Sequence, residues 1–407
     1  MNKKIKILVI PSDHSGCGYF RSVQPHEYIA KNYSNEFEID IMYEFPQDQP
    51  LDKFLQQYDI LHVHKQLDAE CRIISLAQFL GVKVIIDVDD YWDLGNDHPM
   101  SISAKANKWH IPIIAHLKQA DYVTTTTDIF KKTIEPINKN VLVFPNAIDP
   151  TEEQFIPKPT YSDKLRFGII CGSSHEKDIE LLRGMVDTLP QDILNQIQIV
   201  LCGFDTNGTV TIYNPQTKEK TTRPIQPQES VWYKYEQILT NNYKTVSQNH
   251  AQFLHMFIPQ TDYPNINEPY RRCWTKNIKE YATHYNNIDV LLVPLKENKF
   301  NAQKSQLKVV ECGFFNKAII AQNFGPYTID LVPMIEKGGN INENGNALLV
   351  DSSKNHKQWA KYITRLVKDR SLVTKLQENL HNTVKDKYSL KNVCEQRVNE
   401  YRKMINK

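Results

Sequence analysis

The sequence has no Cys-x-x-Cys pair. Its seven cysteines, at positions 17, 71, 171, 202, 273, 312 and 394, are scattered and odd in number, which excludes a disulfide framework and a clustered-thiolate zinc site. A reducing compartment, the cytoplasm, is the expectation. No stretch approaches the roughly 18 apolar residues of a membrane span. The basic-then-apolar start, Met1 to Ile10, is interrupted at Lys6 and is too short for a signal-peptide core, so any membrane contact is expected to be peripheral. Neither charge sign dominates. Lys plus Arg number 49 against 47 for Asp plus Glu, a formal charge of +2, which leaves no electrostatic basis for general nucleic-acid binding. The thirteen histidines show no His-x3-His spacing and no Gly-x-Ser-x-Gly elbow occurs, so zinc-hydrolase and serine-hydrolase chemistry are not indicated.

What is present is an ordinary globular composition, 41% hydrophobic and 24% charged, in a chain of 407 residues, longer than one hydrophobic core usually grows. Two domains are expected. Short β-branched runs at Ile5 to Ile10, Ile60 to Val63, Val82 to Ile86, Tyr122 to Thr125 and Val141 to Phe144 read as strands buried on both faces of a parallel sheet. Pro25 to Lys31 and Ile113 to Ala120 are expected helices. Residues 1–150 thus read as one α/β domain. The polar stretch 151–163, preceded by Pro150 and holding Pro157 and Pro159, reads as a linker. A second α/β domain, 164–388, is expected from strand candidates Leu165 to Cys171, Ile197 to Cys202, Val290 to Pro294, Ala318 to Ala321 and Ala347 to Val350. Glu180 to Thr188 and Ser305 to Phe314 are its expected helices.

The stretch 206–257 breaks the alternation. Thr209 to Tyr213, followed by Asn214-Pro-Gln-Thr217, predicts a strand and turn, so a small β-hairpin insertion is expected, either a decorated surface loop or an acceptor-recognition element. Apolar residues at 390, 393, 394, 398, 401, 404 and 405 predict an amphipathic C-terminal helix over 389–405. The aromatic segments Tyr270 to Trp274 and Tyr281 to Tyr285 are expected to be core or cleft-lining aromatics on helices, with base stacking as the alternative reading.

Departure of a nucleoside diphosphate from a sugar needs amides, basic side chains or a metal to stabilise the leaving charge. Lys304-Ser-Gln-Leu-Lys-Val-Val-Glu311 follows a predicted strand and opens a predicted helix. Amides there suit phosphate, Lys304 and Lys308 add charge, and Glu311, about two turns in, suits sugar hydroxyls. Cys171-Gly-Ser-Ser-His-Glu-Lys-Asp178 likewise follows a strand. In the first half, Ser15-Gly-Cys-Gly-Tyr-Phe-Arg21 follows strand one, and Gly16 and Gly18 permit close backbone approach to a ligand. Asp87-Val-Asp-Asp90 admits two readings from its residues: helix-capping carboxylates, or a divalent-metal Asp-x-Asp motif.

These segments, with Ala318 to Ala321 before Gly325-Pro326 and with Asn344-Gly-Asn-Ala-Leu-Leu-Val350, resemble in order the retaining GT-B glycosyltransferases of family 4 type (group 1). The resemblance implies two Rossmann-like domains facing across a cleft. The donor is then held mainly by the second domain, the acceptor by the first, and the C-terminal helix crosses back onto the first. It implies Glu311 on the donor ribose, Ser305, Gln306 and Leu307 at the diphosphate, and Gln303 where the family has its first motif glutamate. Lys308, Gly16, Gly18, Ser173 and His175 complete the expected donor set. Lys177 matches a catalytic lysine, with Lys304 and Asp89 as further catalytic candidates. The family's arginine position holds Gly172, with Lys304, Arg271 or Arg272 as possible substitutes. Tyr19, Arg21 and Asp90 are expected at the acceptor. The activity implied is retaining sugar transfer from a nucleotide-diphosphate sugar, without metal or other cofactor. The acceptor could be a glycan, a lipid-linked glycan, a protein or a modified nucleic acid. Two rival readings are a nucleotide-sugar epimerase of the same fold and a catalytically silent sugar- or partner-binding protein.

Overall fold

The computed structural model describes residues 3–65, 71–158, 160–213, 216–217, 219–256, 267–336, 338–351 and 356–405. Pro159 of the expected linker, Asn214 and Pro215 of the expected turn, and Phe257 at the end of the expected insertion lie outside the described residues.

Two six-stranded sheets organise the chain. The first holds β1 (Ile5–Ile10), β2 (Phe37–Ile41), β3 (Ile60–His64), β4 (Lys83–Asp87), β5 (Tyr122–Thr125) and β6 (Val141–Val143), in the order β2-β1-β3-β4-β5-β6. The second holds β7 (Leu165–Ile170), β8 (Ile197–Phe204), β11 (Tyr270–Trp274), β12 (Val290–Val293), β13 (Ala318–Gln322) and β14 (Leu348–Val350), in the order β11-β8-β7-β12-β13-β14. Every pairing in both sheets is parallel. Between them in the chain, β9 (Thr209–Tyr213) and β10 (Lys220–Pro224) form a separate antiparallel ribbon.

The continuous apolar strands are explained by cover on both faces. In β1, Leu8 and Ile10 join a core with Ile113, Leu117 and Phe130, while Ile7 and Val9 face a second core. That second core is closed by Leu390, Val393, Val398, Tyr401 and Met404 of the C-terminal helix Leu390–Ile405. The last helix therefore covers the first sheet, far from its sequence neighbours. In the second sheet, Phe167, Ile169, Ile199 and Leu201 face one core, and Val200, Cys202, Leu291 and Val293 the other, against Val309 and Val310 of the helix Leu307–Phe314.

Three expectations change. Glu180 to Thr188 is not one helix: a short helix, Glu176–Ile179, passes into 3-10 turns, and Gly184 at φ +86 breaks the run. Tyr270 to Trp274 is an edge strand rather than a helix, and Tyr281–Asn287 is 3-10. The stretch 206–257 is more than a hairpin. Its helix Val231–Leu239 buries Trp232, Tyr235, Ile238 and Leu239 in the core of the second sheet that Phe167 and Ile199 face, and Glu236 makes a buried two-pronged pair with Arg272 (2.9 and 2.7 Å). Among the described residues no helix is long and apolar enough to cross a membrane.

Candidate functional site

In both sheets the chain order reverses beside the first strand, at β1/β3 and at β7/β12, and loops leaving the carboxyl ends of strands at such points form ligand crevices. Here the two sets of loops meet around a cleft of about 700 Å³. Gly16, Asp89 and Asn146 line it from the first half, and His175, Lys308 and Glu311 from the second. Contacts join the halves at its margin: Asn146 Nδ2 donates to Ser305 Oγ at 3.3 Å, and Lys296 pairs with Asp97 at 2.8 Å.

One end of the cleft is cationic. Lys304 and Lys308 both line it, and neither makes an ion pair among the described residues. Burial pulls the Lys308 ammonium below its usual pKa, and Lys304 adds repulsion against partial relief from Asp178 and Glu311. His175 stands beside them, its Nδ1 2.7 Å from Asp178 Oδ2. Burial, then Lys308 and Lys304, push the imidazole down to about 3, against the pull of Asp178. Asp178 is itself locked, since its Oδ1 accepts from Lys296 N at 2.7 Å and Asn301 Nδ2 at 3.0 Å.

Glu311 sits deeper, 3% exposed, yet reaches the cleft. Its two carboxylate oxygens accept from different tyrosines, Oε1 from Tyr281 and Oε2 from Tyr285 at 2.9 Å. Burial raises its pKa to about 7, against the lowering effect of both tyrosines and Lys308. Both tyrosines belong to the 3-10 segment Tyr281–Asn287, and their hydroxyls converge on this single carboxylate.

On the first half, Asp13 organises the glycine loop: its Oδ1 accepts from Ser15 N at 2.7 Å and Gly18 N at 3.2 Å. A Cβ on Gly18 would lie 2.0 Å from Asp13 O, so the turn requires glycine, whereas one on Gly16 would lie 3.5 Å from Ile278 of the opposite half. Asp89 and Asp90 line the cleft, and Lys65 Nζ lies 3.4 Å from each. Burial works against the Asp89 carboxylate, but Lys65 and His64, at 3.2 Å, outweigh it and hold its pKa well below the usual range. Oxygens of Asp89 and Asp90 and Sγ of Cys17 lie within 4.8 Å of one another, close enough to ligate one cation. Lys65 already supplies positive charge to both carboxylates, and Asp89, burial and Asp90 push the Cys17 thiol up, away from the thiolate form.

The structure brings Gly16, Asp89, Asp90, Ser173, His175, Lys304, Ser305, Leu307, Lys308 and Glu311 to this cleft. Other expected site residues stand outside the set lining it. Lys177 is exposed, and its charge reaches Asp97 of the first half. Gln303 is buried with Oε1 unpartnered, and Gln306 donates to Tyr388 Oη at 2.8 Å. Arg21, expected at the acceptor, is 1% exposed and chelates Asp87 at 2.9 and 2.7 Å while also donating to Phe144 O. Its guanidinium is thus an internal tie. Tyr19 likewise donates its hydroxyl to Glu152, and Gly18 lies under Asp13. Arg272 is taken by Glu236 and so cannot replace the basic group missing at Gly172. Sequence reasoning missed Asn146 and Trp232 as lining residues, whereas Tyr281, expected as a core or cleft-lining aromatic, does line the cleft. Gly203 was missed too: its φ of +102 and a hypothetical Cβ 2.7 Å from Cys171 O both require glycine at the cleft wall.

Comparison with solved structures matches nearly the whole chain. HepE from Anabaena, solved with UDP and glucose, superposes with a TM-score of 0.62 at 12% identity, over 97% of this chain and 99% of that one. The fold is GT-B. Sucrose-phosphate synthase from Thermosynechococcus elongatus gives a TM-score of 0.59 at 14% identity, over 99% of this chain and 100% of that one. The catalytic domain of starch synthase IV from Arabidopsis thaliana, bound to ADP and acarbose, gives 0.58 at 11% identity, over 99% of each chain. No family model matches the chain, and no curated protein matches it by sequence. At these identities the likeness speaks to the fold, and chemistry must be argued from the cleft.

Proposed function

We propose that this protein is a retaining glycosyltransferase that moves a sugar from a nucleoside-diphosphate sugar to an acceptor hydroxyl, with no requirement for a metal ion. The observation that carries the reading is the joining, on one wall of one cleft, of unpaired cations and a buried carboxylate. Lys304 and Lys308 supply positive charge, and Glu311, about one helical turn beyond Lys308, offers acceptor oxygens. That is the complement of a diphosphate joined to a ribose. HepE and starch synthase IV, solved with UDP and ADP, share the fold, which supports a nucleotide donor here without choosing its base. Gly16, Asp89, Asp90 and Asn146 would then face the sugar and its acceptor.

Two lysines at the diphosphate end do what a divalent ion does in metal-dependent transferases, by neutralising the leaving group as the bond to the anomeric carbon breaks. The scattered cysteines support placement in the reducing cytoplasm. Retention follows from the resemblance of Glu311 and its preceding segment to the family 4 motif.

The test is a thermal-shift panel of nucleotide sugars, followed by transfer assays on any hit. A ligand at 100 times its dissociation constant should stabilise by about 2.7 kcal/mol. Failure of every nucleotide sugar to bind would sink the reading. Conversion of the donor with no acceptor requirement would favour an epimerase, and binding without turnover a silent sugar-binding protein.

A further inference from the structure

We infer that His175, oriented by Asp178, is a third member of the diphosphate clamp with Lys304 and Lys308, and that it takes a proton from solvent when the diphosphate enters. This rests on the donor reading above. Asp178 cannot turn away, because Lys296 N and Asn301 Nδ2 hold its other oxygen. It therefore accepts from Nδ1, which carries the proton in the neutral ring. Nε2 is left as the ring's other nitrogen, on a side chain that lines the cleft, with no hydrogen-bond partner among the described residues.

The groups that act on this ring come from three segments. Asp178 lies on its own short helix, Lys304 on the turn after the helix Lys299–Ala302, and Lys308 in the first turn of the helix Leu307–Phe314. With the cleft empty, burial and the two lysines keep the ring neutral. An entering diphosphate reverses that field. Its oxygens screen both ammonium groups and place negative charge at Nε2, while Asp178 still favours the imidazolium. The ring then donates from both nitrogens, one to Asp178 and one to the phosphate. When the bond from the anomeric carbon to the phosphate oxygen breaks, its electron pair passes to that oxygen, and the Nε2–H is already placed to offset the new charge. The position also explains a departure from the family pattern. Gly172 stands where an arginine is expected, and a Cβ there would meet nothing within 4 Å. His175, three residues on, would restore the missing cation only when an anion is present.

The experiment is calorimetric titration of the full chain with UDP, ADP and GDP at pH 7.5, in buffers of different ionisation enthalpy, for wild type and His175→Gln. Glu311 titrates in the same window, but it contributes to both proteins and cancels in their difference. Wild type should take up more protons per nucleotide than His175→Gln, and the variant should bind roughly 10-fold or more weakly. The wild-type advantage should shrink as pH rises from 7 to 9. Asp178→Asn should reduce the uptake in the same direction. If His175→Gln does not fold, the imidazole resonances of wild type with and without nucleotide report the same protonation. Equal proton uptake in the two proteins, or a His175 resonance that stays neutral in the complex, overturns the inference while leaving the donor reading in place. Failure of all three diphosphates to bind wild type overturns the donor reading itself.

Discussion

At the residue scale the cleft is governed by charges held out of water. Glu311 is the clearest, because its pKa of about 7 in the folded protein lies above the 4.5 of an ordinary glutamate. The folded state binds this proton more tightly than the unfolded chain. Its stabilising contribution is therefore fully present below about pH 4.5 and is lost as pH rises through about 7. Glu311→Gln cannot ionise, so its melting temperature should exceed that of wild type by a margin that widens between pH 6 and 8. Donor affinity should move the other way, falling by about 1–3 kcal/mol at pH 8 and by less at pH 6. Parallel melting curves and nucleotide titrations check both, and a variant that loses stability at pH 8 would contradict the argument. Lys308→Ala should cost more turnover than Lys177→Ala, since only Lys308 lines the cleft; steady-state rates with saturating acceptor decide between them. Arg21→Ala strands the buried Asp87 carboxylate, and about 3–5 kcal/mol of stability should be lost, measured by denaturant unfolding. The motif around Glu311 was legible in the sequence. The fate of Arg21 was not, because its partner Asp87 lies 66 residues away and only the pairing of β1 with β3, and β3 with β4, brings them together.

At the element scale, the stretch 206–257 divides into a removable part and an essential one. The ribbon β9–β10 pairs only with itself, and its exposed Arg223–Glu229 bridge is of a kind worth little in water. Replacing residues 207–225 with a short Gly/Ser bridge should leave the melting temperature within about 2 °C and nucleotide binding unchanged. Glu236→Ala, in the next helix, leaves Arg272 buried without its carboxylate and should cost about 3–5 kcal/mol. If the ribbon deletion abolishes nucleotide binding in a folded protein, the ribbon belongs to the donor site. Continuous apolar runs announced the central strands, since burial on both faces leaves no room for alternation. The edge strands β2 and β11 escaped for the same reason. Phe37–Ile41 alternates, and Tyr270–Trp274 carries two arginines whose burial depends on partners elsewhere, Arg272 on Glu236 among them.

At the scale of the whole molecule, polar and apolar contacts join the two halves: Asn146 with Ser305 and Lys296 with Asp97, Phe20 buried in a core of the second half, and Phe300 in a core of the first. On the proposed reading the lysines of one half supply the charge at the diphosphate, so transfer should survive EDTA. Complete loss of activity on chelation, restored by manganese or magnesium, would instead assign a cation to Cys17, Asp89 and Asp90.

Local sequence carries the strand periodicity, the glycine turns and the segment from Lys304 to Glu311, because these depend on backbone geometry and on neighbours within one or two helical turns. It determined the α/β class and the two-sheet plan, and it marked the segment from Lys304 to Glu311 that lines the cleft. Which charges remain free was decided by tertiary structure alone. Arg21 and Arg272 look as available as Lys304 and Lys308 in the sequence, yet each arginine is neutralised by a carboxylate brought from a distant segment. The lysines, with no ion-pair partner among the described residues, are left facing the cleft. A charge becomes functional here only where folding has left it partly buried and unpaired, and that balance of desolvation against pairing is set by contacts no local pattern encodes.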